Sequence, residues 1–338
     1  MKQLLVLGGG AAGIVAAIAA AEADPQAHVL LLEKNPRIGK KLLATGNGRC
    51  NLDNAHIAPD CFFSSDKEGV KRLLTAMGNP LEWFKTHGLL CREDEMGRVY
   101  PYSNQAGDVL NLLLHWLERS GVEVRCDCAV SDIDRKGRGY VVCADGEWLY
   151  ADAVICAMGG KAGPQFGTDG FALDFAQVCG CNIQPLYPCL VPLNCNQKQI
   201  SGLSGIRVKG DASLYDGERL IHKESGEIQF TDYGISGIAV FQLSRVMARE
   251  KGKCVIELDL LPEMTDAQAE EFLMDRAESL GWRSTDAFFL GMFHKNIAGN
   301  LLRMAGVAGG QVEDMTLSQL KKLARVMKHW QHNVTGTQ

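Results

Sequence analysis

Among 12 cysteines and 8 histidines the sequence has no C-x-x-C pair and no Cys/His cluster at metal-ligand spacing. That excludes a zinc ribbon and the commonest dithiol redox centre. Cys126/Cys128 and Cys179/Cys181 are C-x-C pairs only, and the thiols read as reduced, in keeping with a cytoplasmic protein. No charge of one sign dominates: 35 Lys plus Arg stand against 40 Asp plus Glu, a formal charge of −5. This gives no electrostatic footprint for nucleic acid or an anionic membrane. No apolar run reaches the ~20 residues of a membrane span. The nearest, Leu4 to Ala21, is divided by Gly8, Gly9 and Gly10 into a strand-length piece and an Ala-rich helix, which also argues against a signal peptide. Internal repeats, low-complexity tracts and a Ser/His/Asp pattern are lacking as well. Small-molecule chemistry remains.

With 338 residues, 46% of them hydrophobic, the chain is long enough for more than one lobe. Lys2 to Leu7 predicts a buried parallel strand, Gly8 to Gly13 a tight turn, Ile14 to Ala23 a helix of small residues, and His28 to Leu32 a second buried strand ending in Glu33. A lone G-x-G-x-x-G is weak evidence. Here strand, turn, helix, strand and acid stand in register, with 19 residues between Gly13 and Glu33, close to the ~20 of a dinucleotide fingerprint. Gly8 permits the turn, Gly10 lets backbone approach a pyrophosphate at the helix N-terminus beside Ala11 and Ala12, and Gly13 lets helix and strand touch. Glu33 would accept hydrogen bonds from ribose hydroxyls and repel a 2′-phosphate, so FAD or NAD fits better than NADP.

The stretch KKLLATGNGRCNLDN follows. Arg37, Lys40 and Lys41 could neutralise phosphates, with Lys34 and Gly39 as further dinucleotide contacts, and Gly46 and Gly48 of Gly46-Asn47-Gly48-Arg49-Cys50-Asn51 could bring backbone amides to a ligand. The bland alternative is a basic, solvated turn, which leaves the glycine bracket unexplained. Cys50 has Ala55 where a Cys-x4-Cys redox pair would need its second thiol, so it reads as a packing or ligand-contact residue.

Together LLVLGGGAAG, Glu33-Lys34, GKKLLATGNGRCN, GRVYPYSNQAGDVL and GEIQFTDYGISG resemble the YhiN/BaiN-type FAD-dependent oxidoreductases, some of them aminoacetone-oxidase-like, over nearly the whole chain. The resemblance implies an α/β fold: a Rossmann-like FAD-binding domain of the two-dinucleotide-fold flavoprotein type, residues 1–188, with an inserted β-rich and helical domain, 189–338, covering the flavin. It further implies FAD running along residues 33–51, an adenine contact near Val130, and a strand-to-glycine turn at Ala157 to Gly159, where Met158 replaces the usual Thr. Redox chemistry on a small or steroid-like molecule follows, by C=C reduction or desaturation, with NAD(P)H as a transient reductant and no nucleic-acid or membrane partner. A thiol-disulfide reductase and a flavin-binding scaffold without turnover are the alternatives. The family continues past Val334 to Thr337 into a segment that holds the flavin ring. The expectation is therefore that this chain, ending at Gln338, holds ADP and FAD about equally.

Elsewhere the pattern predicts a helix over Val109 to Ser120, strands at Val122 to Arg125 and Ala129 to Ile133, a hairpin turning at Asp145-Gly146, and a strand over Ala153 to Ala157. Asp169 either caps the helix Phe171 to Val178 or sits near the cofactor. Beyond Pro188, short strands include Arg219 to His222 and Glu227 to Phe230. Ser236 is expected to cap a helix from Ile238 to Ala248, and Leu317 to Trp330 to be helical. Tyr100, Tyr102 and Ser103 are weak candidates for proton donation.

Overall fold

A computed structural model describes residues 1–250 and 253–338. The chain forms two compact units, Met1–Gln184 and Pro185–Gln338. In the first, β1 (Gln3–Leu7) lies between β2 (His28–Leu32) and Ala153–Cys156, with Glu123–Arg125 beyond β2, all parallel. Side chains on a strand alternate between faces, so a parallel sheet covered on both sides needs apolar residues throughout. Val6, Val29 and Leu31 pack with α1 (Ala11–Ala23) and the helix Ala106–Arg119. Leu5, Leu7, Leu30 and Leu32 meet Ile133, Val142 and Ala151 on the other face. Those last residues belong to an antiparallel sheet of Val130–Lys136, Gly139–Ala144 and Glu147–Ala151. Its tight turn puts both Asp145 (φ +50) and Gly146 (φ +82) in the left-handed region, as the twist of a two-residue hairpin requires.

The second unit is a closed antiparallel barrel, ordered Leu193–Cys195, Gly234–Ser236, Arg219–Phe230, Arg207–Asp216, Cys254–Asp259 and Trp330–Thr337. Leu214, Phe230, Ile256 and Trp330 share its core with Leu273, Leu301 and Leu323 from three helices.

Three expectations are corrected here. Arg219 to His222 and Glu227 to Phe230 are the two ends of one strand; the charged middle stays paired to Arg207–Asp216, and Ser225 and Lys223 bond to the Asp211 carboxylate. Ser236 is no cap but the last residue of Gly234–Ser236. Gly237 precedes the helix Ile238–Met247 at φ +106, and a Cβ there would meet the Glu227 carbonyl at 2.3 Å. The last helix, opened by a Thr316/Gln319 capping box, ends at Lys328, and Trp330 begins the strand that closes the barrel.

Candidate functional site: a cleft at the glycine turn

At the end of β1, Gly8 takes φ +101, and a Cβ on it would lie 2.6 Å from the Ala157 carbonyl oxygen. Only glycine fits so close to the neighbouring strand. A Cβ on Gly13 would meet Gly8 O, so Gly13 serves helix–turn packing. Gly10 differs from both: nothing lies within 4 Å of its Cβ position, and its backbone is extended. It leads into α1 with no side-chain cap. The first amides of α1 therefore point, unspent, into open space, which is the arrangement that attracts an anion.

Glu33 follows β2 and is 8% exposed. Its Oε2 accepts from Gly9 N–H at 2.7 Å, and its Oε1 accepts from Asn35 N–H at 2.8 Å and Asn35 Nδ2 at 2.5 Å. An ionised carboxylate has about four acceptor positions. One is left beside the cleft.

The cleft has a volume of about 270 Å³. Of the residues expected at a cofactor site, it brings together Gly8, Gly10, Ala11, Ala12, Glu33, Lys34, Arg37, Lys40, Lys41, Val130, Ala157 and Gly159. Gly13 and Gly39 stand behind the wall; Gly39, at φ +75, packs on Leu110 and donates to Gly9 O at 2.7 Å. Gly46, Asn47, Gly48, Arg49, Cys50 and Asn51 lie past the wall, in a loop that leaves it at Thr45. Gly46, Asn47, Gly48 and Cys50 all have φ between +56 and +82, which makes it a tightly folded turn. Burial pushes the Cys50 thiol pKa up, so it is held as the less reactive thiol.

Gly9, Asn35, Thr45, Cys128, Met158, Phe166, Gly167 and Thr168 also line the cleft and were not foreseen as such. Asp169 stands at the start of the helix Phe171–Val178 and also lines the cleft. Its Oδ1 accepts from Phe171 N–H, while Oδ2 pairs with Lys34 at 2.7 Å. That ion pair holds the Asp169 carboxyl below the usual range. Lys41 adds a second tie, donating to Ala162 O at 2.8 Å. A sequence signal existed for this wall, since Gly163, Gly167 and Gly170 punctuate it. Tyr100 is buried against Arg49, whereas Tyr102 and Ser103 are exposed.

A flavin dinucleotide suits this donor set. The helix N-terminus faces an anion together with Arg37, Lys40 and Lys41, the cleft cations outside the Lys34–Asp169 ion pair; Gly10 leaves room for it, and Glu33 keeps an acceptor for a hydroxyl. The fold and the cleft are those of a Rossmann-type flavoprotein. Residues 2–326 match the family described as HI0933-like protein Rossmann domain, and the chain belongs to it, as an FAD-dependent oxidoreductase of the YhiN/BaiN kind. It is 36% identical over 312 residues, 91% of this chain and 76% of the relative, to a 3-dehydro-bile acid delta(4,6)-reductase of Clostridium scindens. It is 24% identical over 344 residues, 99% of this chain and 82% of the relative, to a ribosomal RNA dihydrouridine synthase of Escherichia coli. Among solved structures, 3-ketosteroid-delta4-(5alpha)-dehydrogenase of Rhodococcus jostii matches at 16% identity and a TM-score of 0.46, over 80% of this chain and 68% of that one. The last likeness is too loose to bear on chemistry. No described helix is long and apolar enough to cross a membrane, and all twelve cysteines are free thiols.

Proposed function

We propose that the protein reduces a C=C bond conjugated to a carbonyl in a steroid-like molecule, in the cytoplasm, with NADH or NADPH as the transient reductant. The observation that carries this reading is the 36% identity to a bile acid reductase across 91% of the chain. The E. coli relative, by its name, also saturates a C=C, and in uracil that bond too is conjugated to a carbonyl. The shared feature supports the bond type. A chain of formal charge −5 favours the small molecule over RNA, whose backbone calls for a basic surface.

FAD, when bound and reduced by NADH or NADPH, would supply the hydride. The chain's own part is to hold it and keep it oriented. The α1 amides with Arg37, Lys40 and Lys41 take the pyrophosphate, Glu33 a ribose hydroxyl, and Val130 with Cys128 the adenine side. The backbone of the Gly46–Asn51 turn serves the flavin half. Free thiols without a dithiol pair speak against disulfide reduction.

The test is anaerobic: the holoenzyme is reduced with NADH or NADPH and then offered a 3-keto-4-ene steroid, a simple enone, a disulfide, oxygen or ribosomal RNA. Fast flavin reoxidation with a saturated ketone as product is expected from the steroid. Reoxidation by the disulfide alone, or dihydrouridine in the RNA without enone reduction, would overturn the proposal.

A further inference from the structure

The turn beyond Thr45 carries a cation that the nucleotide grip leaves unused. Cys50 N–H donates back to Thr45 O at 3.0 Å, so the loop closes directly beside the cleft wall. Inside it Arg49 is half-buried, its Nε donating to Gly46 O at 3.3 Å and its Nη2 to the Tyr100 hydroxyl at 3.4 Å. The guanidinium also lies 4.6 Å from the centroid of the Tyr100 ring. Tyr100 is 5% exposed, in Arg98–Pro101, the middle strand of a small sheet. Its ring is therefore a fixed plate.

Among the described residues no carboxylate pairs with Arg49, whereas Lys34 has Asp169. A partly desolvated cation without a counter-ion is unfavourable. It keeps its charge and its Nη1 donors for a ligand. Arg37, Lys40 and Lys41 line the cleft and Arg49 does not, which separates it from the phosphate-facing set. Next to it Asn47 and Gly48 are exposed, and nothing lies within 4 Å of a Cβ on Gly48, so a ligand has room to approach.

We infer that Arg49 is a catalytic residue that binds the carbonyl oxygen of the substrate, and that Tyr100 is the positioning residue that fixes its plane. The inference rests on the conjugated-carbonyl reading above. When hydride adds to the β carbon, the C=C electron pair shifts towards the carbonyl carbon and the C=O pair moves onto oxygen. A proton from solvent at the α carbon then restores the carbonyl. The oxygen is anionic only along the way, so a fixed guanidinium stabilises the transition state more than the substrate. Arginine's rigid fork, stacked on a ring, is suited to that task, and a mobile ammonium less so.

The experiment uses the FAD-loaded protein and two probes: a 3-keto-4-ene steroid for turnover, and a fluorescent phenolic steroid whose ionised oxygen resembles the enolate. Arg49→Gln should retain FAD and its melting temperature, lower kcat at least tenfold with a smaller change in KM, and bind the phenol neutral where the wild type binds it ionised. Arg49→Lys should recover part of both effects. Tyr100→Leu should lower kcat and the ionised fraction together, while Tyr100→Phe, which keeps the plate, should change them little. Arg49→Gln reducing the steroid at the wild-type rate, or binding the phenolate equally well, overturns the inference. Loss of FAD in both Arg49 variants also overturns it, since the cation would then belong to the cofactor. If the wild type reduces no conjugated carbonyl, the functional reading fails first and the role of Arg49 falls with it.

Discussion

Glu33 enters the site with its carboxylate already oriented. Gly9 holds one oxygen and Asn35 holds the other twice over, so a ribose hydroxyl meets a fixed acceptor. Hydrogen bonds to charged groups contribute about 1.5–3 kcal/mol each. Glu33→Ala should therefore weaken ADP binding at least tenfold in a calorimetric titration, whereas Asn35→Ala should change it only a few fold; unchanged binding in the first variant would remove Glu33 from the site. Cys50 is the opposite kind of residue. It is 5% exposed, at φ +58, with its thiol held protonated by burial. Cys50→Ser should keep turnover within a few fold, measured per bound FAD, and complete loss with FAD still present would mean that the thiol takes part in the chemistry. Both residues could be placed from spacing alone, the acid by its distance from the glycines and the thiol by its missing partner. The contacts of Glu33 could not, because Asn35 reaches back by side-chain geometry that no periodicity encodes.

The glycine turn separates folding from binding. A Cβ at Gly8 or Gly13 strikes backbone, while one at Gly10 meets nothing. Gly8→Ala and Gly13→Ala should cost about 1–3 kcal/mol or more by overpacking, whereas Gly10→Ala should melt with the wild type and lose ADP affinity, as thermal scans beside titrations would show. This βαβ unit was legible because both of its periods are short and local. The barrel's closing strand was not. The helical pattern of Leu317–Lys328 runs smoothly into Trp330, and only pairing with Leu193–Cys195 and Cys254–Asp259, far away in sequence, makes Trp330–Thr337 a strand. That pairing buries His332 completely, with neither ring nitrogen bonded, and burial pushes its pKa down to about 4. An ordinary histidine titrates near 6.5. Below that value the unfolded chain takes up a proton that the folded chain refuses, so the stability contributed by neutral His332 is complete above pH ~6.5 and is lost as pH falls towards 4, by about 1.4 kcal/mol per unit. Denaturant unfolding from pH 7 to 4.5 should show that slope, and His332→Leu should flatten it; an equal slope in the variant would assign the acid sensitivity to other groups.

Across the whole molecule the charges are unevenly spread. The chain carries a formal −5, yet from Lys34 to Arg49 there are five cations and no acid. Four of them, Lys34, Arg37, Lys40 and Lys41, line the cleft, and the excess of acids lies elsewhere. A cleft lined by one sign focuses field lines and speeds capture of an oppositely charged ligand, an effect that salt screens over about 10 Å at 0.1 M. A diphosphate is small enough to feel only this patch. An RNA is not, since its many phosphates would also meet the acidic remainder, and its binding would require a run of basic contacts. ADP association followed by stopped flow should therefore slow by roughly an order of magnitude between 0.05 and 0.5 M salt, with dissociation nearly constant. Lys40→Glu with Lys41→Glu should remove most of that dependence while leaving the melting temperature close to the wild type, because neither lysine is paired with a carboxylate among the described residues. Reduction of an uncharged steroid enone should stay level over the same range. An association rate for ADP that ignores salt would mean that the diphosphate is captured by the helix amides alone, with the cations acting only after it has docked.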